Sequence, residues 1–203
     1  MEIANCLKGV LIVTLIAFSG CRNKSGNKIE VLTPVSVNTS IPDTVLNSRI
    51  FEAALNGQLS QLMNLLADGF DVNIMDDDGR TALMYASYNG HVEIIRELIG
   101  KGASTNLKDS NGRTALMMAS SGPHPAAVKM LLDHQADPNI TDNDEHFTAL
   151  MYAAAEGQLE VVRILLANRA DPSLKDIDGD DAGTFAEKNG HKEISELLKS
   201  FKK

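Results

Sequence analysis

Three methionines at regular spacing are the residues whose type first suggests chemistry. Met84, Met117 and Met151 recur at intervals of 33 and 34 residues, and thioether sulfurs are soft ligands that suit copper(I). Equivalent positions of neighbouring helical units lie roughly 8–10 Å apart, which is too far for one ion to bind two of them. We therefore expect these methionines to pack in the core or at its flank.

An acidic segment near the C-terminus has the spacing of a calcium-binding loop. Asp176, Asp178, Asp180 and Glu187 stand at positions 1, 3, 5 and 12 of such a loop. Position 6 is Asp181, where the loop needs glycine for its sharp turn. A turn followed by a helix explains the same residues, and weak calcium binding is the alternative.

The other polar candidates do not form a catalytic or zinc-binding set. The histidines are His91, His124, His134, His146 and His191. They form no HExxH motif and no pair at helical spacing. Ser120 and Ser121 lie near His124 in the sequence but lack a third partner and a glycine-rich oxyanion turn. We predict no catalytic residue, no metal and no cofactor.

The N-terminus has the layout of a secretory signal. A mainly apolar run, residues 9–18, follows Lys8 and precedes Ser-Gly-Cys, which ends at Cys21. The run is shorter than the roughly 20 residues of a membrane-spanning helix. The letters FSGC resemble the lipobox of bacterial lipoproteins, whose signal is cut before a cysteine that then carries the lipid. We predict removal of 1–20 and lipidation of Cys21, with a plain secretory signal or an uncleaved anchor as alternatives.

The lipoprotein resemblance also implies a location. Cys6 lies in the removed segment and Cys21 carries the lipid, so no free thiol remains, which suits an oxidising compartment. By the same resemblance, Arg22 after the cysteine is not an inner-membrane retention signal. We expect an outer-membrane lipoprotein of a bacterial cell envelope that faces the periplasm, or otherwise a secreted or periplasmic protein.

Composition separates a tether from an acidic domain. Residues 21–47 are rich in Ser, Thr, Asn and Lys and lack helical apolar spacing, which predicts a flexible tether. The whole chain has a net charge of -8, and its first 49 residues carry five basic and three acidic side chains, so the remainder carries -10. This acidity argues against nucleic-acid binding, which depends on clustered Lys and Arg.

A six-residue motif recurs along the acidic domain. TALMYA occupies 81–86 and 148–153, and TALMMA occupies 114–119. Repetition at this period predicts a solenoid. In each unit the threonine is expected to cap a short helix, and a glycine to end that helix before a second one begins.

The repeated units resemble the ankyrin repeat, whose pattern is DxxGxTPLHxAAxxGHxExVxxLLxxGADxN. The second unit here reads DDDGRTALMYASYNGHVEIIRELIGKGASTN. The resemblance implies an all-α fold, an ankyrin-repeat solenoid of about five helix-turn-helix units with β-turn tips, the outer two being degenerate caps. The expected domain is 48–203, with units at about 48–77, 78–110, 111–143, 144–177 and 178–203.

Three departures from that pattern predict lower stability than in a regular array. Alanine replaces proline at the first helical position, and methionine replaces histidine two residues later. The fourth unit also has one extra residue, with His146 in place of the turn glycine.

The ankyrin resemblance implies a protein partner, bound on the concave face and the tips. We count positions in each unit from the capping threonine as zero. Positions 4, 7 and 8 lie on the helix side away from the packed side. The predicted partner-binding residues are Arg80, Tyr85, Tyr88, Arg113, Met118, Phe147, Tyr152, Glu156 and Phe185. The alternative for Tyr85 and Tyr152 is packing against the neighbouring turn.

Acidic residues cluster at the predicted tips, and they are Asp76, Asp77, Asp78, Asp142, Asp144, Glu145, Asp178, Asp180 and Asp181. They predict a partner with a basic and partly apolar patch, although turns favour Asp without any partner. We expect a non-catalytic interaction module that contacts a membrane only through its lipid. An immunity protein or inhibitor that covers a basic toxin or enzyme is the first alternative, and an enzyme or calcium-dependent protein is the second.

Overall fold

The computed structural model describes residues 43–201, which form ten α-helices and one isolated β-bridge, between Met75 and Thr81. The helices are α1 (Asp43–Leu55), α2 (Leu59–Ala67), α3 (Ala82–Tyr88), α4 (Val92–Gly100), α5 (Ala115–Ser120), α6 (Pro125–Asp133), α7 (Ala149–Ala155), α8 (Leu159–Ala167), α9 (Ala182–Lys188) and α10 (Lys192–Phe201). The predicted all-α class is confirmed.

The helices form two layers. Each odd-numbered helix packs against the next odd-numbered one, and each even-numbered helix packs against the next even-numbered one. Within a unit, the first helix also packs against the second. Every unit therefore covers the apolar side of its neighbour, as in a solenoid.

The first helix is longer than its equivalents in the other units. It begins at Asp43, although the repeat register places the start of the first unit at Ser48. The predicted tether, 21–47, therefore overlaps the helix by five residues. Pro42 precedes the helix in the sequence, and proline lacks the N–H donor that a helix interior needs.

Threonine caps start the first helices of the three central units. The hydroxyl oxygens of Thr81, Thr114 and Thr148 accept hydrogen bonds from backbone N–H groups three residues later, at 3.3, 3.4 and 3.3 Å. These donors belong to the three methionines, whose side chains are buried in the core, as predicted. Each methionine sulfur in turn accepts the N–H of its own capping threonine, at 3.4–3.5 Å.

The turn tips are linked to one another by backbone hydrogen bonds. The N–H of Ser110 donates to the carbonyl of Asp78 at 2.9 Å, and that of Asn143 donates to the carbonyl of Asn111 at 2.8 Å. His146 has a φ of 61°, the left-handed conformation that Gly79 adopts in the equivalent tip. The tips thus follow the stacked units as a continuous edge next to the odd-numbered helices.

Candidate partner-binding site

A pocket of about 340 Å³ lies on the face formed by the odd-numbered helices and the tips. We call it the central pocket. It is lined by Leu55, Arg80, Tyr85, Tyr88, Arg113, Met117, Met118, Ser121 and Tyr152. Six of the nine predicted partner-binding residues are among them, so the structure brings most of the predicted site together.

The third unit creates this pocket because its side chains are smaller than those of the second unit. Met118 and Ser121 occupy the positions that Tyr85 and Tyr88 occupy one unit earlier. Tyr152 holds the first of these positions in the next unit. A methionine and a serine between tyrosine walls leave a cavity in the middle of the helix row.

Two of the tyrosines are fixed by hydrogen bonds to the tips. The hydroxyl of Tyr85 donates to Oδ2 of Asp76 at 2.6 Å, and that of Tyr152 donates to Oδ2 of Asp142 at 2.8 Å. Burial, followed by these carboxylate contacts, raises the pKa of both phenols. Both rings are half-buried, so they pack against the turns while also forming walls of the pocket.

Tyr88 differs from the other two tyrosines because 56% of its surface is exposed. It lies at the end of α3 and contributes to the pocket lining. Asn89 follows it and donates a side-chain hydrogen bond to the carbonyl of Leu55 at 2.7 Å. The backbone below Tyr88 is therefore tied to the first unit while the ring remains accessible.

The three remaining predicted residues lie outside the lining. Phe147 contacts Tyr152 and Phe185, with ring centroids 5.5 and 4.8 Å apart. These rings support the wall of the pocket from the side of the last unit. Glu156 is exposed at the C-terminal cap of α7.

Two arginines supply the charge of the pocket. Nε and Nη2 of Arg113 contact Oδ2 of Asp109 at 3.0 and 2.9 Å. Nε of Arg80 lies 4.0 Å from the same oxygen, and its Nη1 lies 3.3 Å from Oδ2 of Asp78. Asp109 is buried and lies in the tip between the two arginines.

Comparison with family models identifies the repeats. A model described as ankyrin repeats (3 copies) matches residues 50–142, and one described as ankyrin repeats (many copies) matches 119–166 and 150–198. The chain belongs to the ankyrin repeat family. Ankyrin repeats indicate a protein–protein interaction module. A search of curated proteins finds no match.

The acidic residues of the ankyrin tips fall into two groups. Some are buried or half-buried and accept backbone N–H groups of their own turn, as Oδ1 of Asp109 does from Asn111 and Arg113 at 3.0 and 2.8 Å. The exposed group forms the outer edge and consists of Asp77, Asp78, Asp144, Glu145 and Asp178. This second group is exposed to a partner, although Asp78 also pairs with Arg80.

Histidines of the ankyrin units connect one unit to the next. Nε2 of His91 lies 3.0 Å from the carbonyl oxygen of Leu55, and Nε2 of His191 lies 3.1 Å from that of Ala155.

Within residues 43–201, no cluster of three or more His, Cys, Asp or Glu has a geometry that could hold a metal ion. In the same range, every helix is too short or too polar to cross a membrane.

Sequence reasoning missed three lining residues and one charged residue behind them. Leu55, Met117 and Ser121 line the pocket, and Asp109 pairs with its arginines. Ser121 stands at position 7 of its unit, on the predicted accessible side, so its position was a usable signal. Leu55 has no such signal, because it belongs to the degenerate first unit.

Proposed function

We propose that this ankyrin repeat protein is a lipid-anchored component of a bacterial cell envelope that binds a protein partner through the central pocket and the adjoining tips. The family supports the protein-binding part of this proposal. The anchor is supported by the FSGC sequence ending at Cys21. Cys21 and the signal-like run before it lie outside the described residues. The proposed location is the outer membrane, on its periplasmic side.

The exposed ring of Tyr88 beside the pocket is the observation that carries the binding proposal. Tyrosine is enriched among interface residues that dominate binding energy, since its large ring loses little conformational entropy on binding. The two hydrogen-bonded tyrosines, Tyr85 and Tyr152, are already held in place. A partner therefore meets rigid aromatic walls and one accessible ring.

The exposed acidic edge supports a partner with a basic surface. Asp77, Asp144, Glu145 and Asp178 lie at the tips with much of their surface in solvent. Charges at the edge of an interface act mainly on the association rate and less on affinity. We propose that they attract a basic patch that surrounds the pocket-binding part of the partner, so association should slow as salt rises.

Photo-crosslinking in intact cells tests the binding site. A photoreactive phenylalanine analogue replaces Tyr88 in the full chain, and the matched control carries it at Phe201, an aromatic residue with a similar exposed fraction, 52%. We expect position 88 to give a discrete protein adduct that position 201 does not give. Ser121→Trp in the first protein should remove the adduct by filling the pocket. Identical adducts from both positions, or no adduct from position 88, would refute the pocket as the binding site.

Fatty-acid labelling tests the anchor separately. The wild-type chain should incorporate an alkyne-tagged fatty acid and sediment with outer membranes. Cys21→Ser should lose the label, whereas Cys6→Ser should retain it, because only Cys21 directly follows the predicted cleavage point. Labelling that survives Cys21→Ser would contradict the lipoprotein proposal without affecting the partner-binding site.

A further inference from the structure

The central pocket is positively lined although the domain is acidic. Arg80 and Arg113 are the charged side chains of its lining, and no carboxylate of the described residues lines it. The other lining residues are tyrosines, methionines, Leu55 and Ser121. The pocket therefore combines an apolar body with two guanidinium groups, in contrast to the acidic edge outside it.

The arginines keep hydrogen-bonding capacity beyond their contacts with the tips. A guanidinium has five N–H donors, and Arg113 directs only Nε and Nη2 at the single oxygen of Asp109. Asp109 is also the buried carboxylate nearest to Arg80, at 4.0 Å. One buried negative charge thus lies between two positive charges. Two further carboxylates attract Arg80. Asp76 accepts the hydroxyl of Tyr85, and Asp78 has a side chain that is 63% exposed, so solvent weakens its pair with Arg80.

These charges discriminate among the side chains that could enter the pocket. A lysine or arginine of a partner would leave water to lie beside two guanidinium groups, which is unfavourable. An apolar side chain would contact the rings but cover N–H donors without pairing them, and this also costs free energy. A carboxylate can pair with the remaining donors, and a guanidinium suits it because two parallel N–H groups can bind its two oxygens.

We propose that the central pocket binds an acidic side chain, flanked by apolar residues, on an extended segment of the protein partner. This rests on the proposed function of the pocket as a protein-binding surface. The lining extends along the row of odd-numbered helices from Leu55 of α1 to Tyr152 of α7, and α9 continues the row beyond it. A segment can therefore cross the pocket, so the carboxylate comes from a side chain within the segment. The basic patch proposed above then surrounds this acidic anchor and faces the tips.

Short blocked peptides test the charge preference directly. The probes are acetyl-Leu-Glu-Leu-amide, its Gln and Lys counterparts, and acetyl-Leu-Gln-Leu with a free carboxyl terminus. Isotope-labelled methionine methyl groups in the full chain report binding by NMR. Met118 lines the pocket, and Met75, which is exposed outside it, serves as the internal control. We expect the Glu peptide to shift Met118 with a Kd about tenfold below that of the Gln peptide, about 1.4 kcal/mol. The Lys peptide should give no saturable shift.

Three variants connect that preference to the pocket. Arg113→Gln should bring the Kd values of the Glu and Gln peptides close to each other. Arg96→Gln, at an exposed arginine on α4, should leave the tenfold difference unchanged. Ser121→Trp should abolish binding of both peptides without removing a charge. Far-UV circular dichroism before each titration verifies that the variant is folded.

The results separate this inference from the proposed function. Equal binding of the Glu and Gln peptides, tighter binding of the Lys peptide, or no Met118 shift would overturn the acidic anchor. If the free-carboxyl peptide bound more tightly than the Glu peptide, the pocket would prefer a C-terminal carboxylate, and the proposal of a side-chain carboxylate would be overturned. If crosslinking at position 88 still captures a protein in these cases, the pocket remains a partner-binding site. A clear Glu preference without any crosslinked protein would instead contradict the proposed function.

Discussion

Removing one hydroxyl group, in Tyr152→Phe, tests whether the tyrosine walls of the pocket stabilise the fold. The Tyr152 hydroxyl donates to Oδ2 of Asp142 at 2.8 Å. Asp142 is buried, and its Oδ1 accepts the N–H groups of Glu145 and Phe147 at 3.1 and 3.0 Å. The phenyl ring remains after the substitution, so the Phe147 contact is kept and only the hydroxyl contact with the carboxylate is lost.

The expected loss follows from the charge of the acceptor. A hydrogen bond to a charged group contributes about 1.5–3 kcal/mol to stability. Tyr152 is half-buried and Asp142 retains two backbone donors, so we expect the lower end, about 1.5–2 kcal/mol. For a domain of this size, such a loss lowers Tm by about 3–8 °C.

The same hydrogen bond predicts a pH dependence. Burial and the Asp142 carboxylate raise the pKa of Tyr152 above its ordinary value, which is about 10 in an unfolded chain. The neutral phenol is favoured by folding, so this stability is fully present below about pH 10 and is lost as the pH rises further. The stability difference between wild type and Tyr152→Phe should therefore shrink above about pH 10.

Urea titration followed by far-UV circular dichroism measures the effect, because the helix signal does not depend on the substituted ring. The matched control is Tyr88→Phe, at an exposed tyrosine, and we expect it to leave the urea midpoint within error of wild type. If Tyr152→Phe shifted the midpoint no more than Tyr88→Phe, or if its deficit persisted unchanged at alkaline pH, the stabilising role of the hydroxyl contact would be refuted.

Substitutions at three further positions test the local physics of the units, each measured as a urea midpoint. Ser87→Ala should raise the free energy of unfolding by about 1 kcal/mol, because the buried hydroxyl has no hydrogen-bond partner among the described residues and Ala154 fills the equivalent place; a lowered midpoint would contradict this. Thr114→Ala should lower the free energy of unfolding by about 1 kcal/mol, because the hydroxyl that caps the N–H of Met117 is lost. Thr114→Ser keeps that hydroxyl and should retain most of this stability. His146→Gly should raise the free energy of unfolding by up to about 1 kcal/mol, because a φ of 61° disfavours every residue that has a Cβ. An equal gain from His146→Val would exclude the backbone conformation as the cause.

Much of the candidate site could be predicted from positions within the repeat. Tyr85, Tyr88, Met118 and Tyr152 stand at fixed offsets from a capping threonine, and that offset decides which side of a helix a residue occupies. The offset does not show which hydroxyl finds a partner. Tyr85 and Tyr152 bond to tip carboxylates, whereas Tyr88, three residues after the first of these, is exposed.

The acidic tips show a similar division. In the sequence the tip aspartates look alike, but Asp109 is buried between two arginines whereas Asp144 is exposed. Arg80 reaches Asp109 from the preceding unit, 29 positions earlier in the chain. That separation has no local signature, so sequence reasoning named Arg80 and Arg113 as partner-binding residues but missed the buried carboxylate between them.

The sequence by itself determined the helices and their order, because caps, helix-ending glycines and apolar spacing act within a few residues and recur at a constant period. Only the tertiary structure decided where a pocket lies and which charge lines it. Met118 and Ser121 leave space only because tyrosines of the units on either side stand beside them. The charge lining that space depends on how an arginine of one unit shares a carboxylate with the arginine of the next. Both features arise from side chains brought together by stacking, and stacking is not encoded in any single unit.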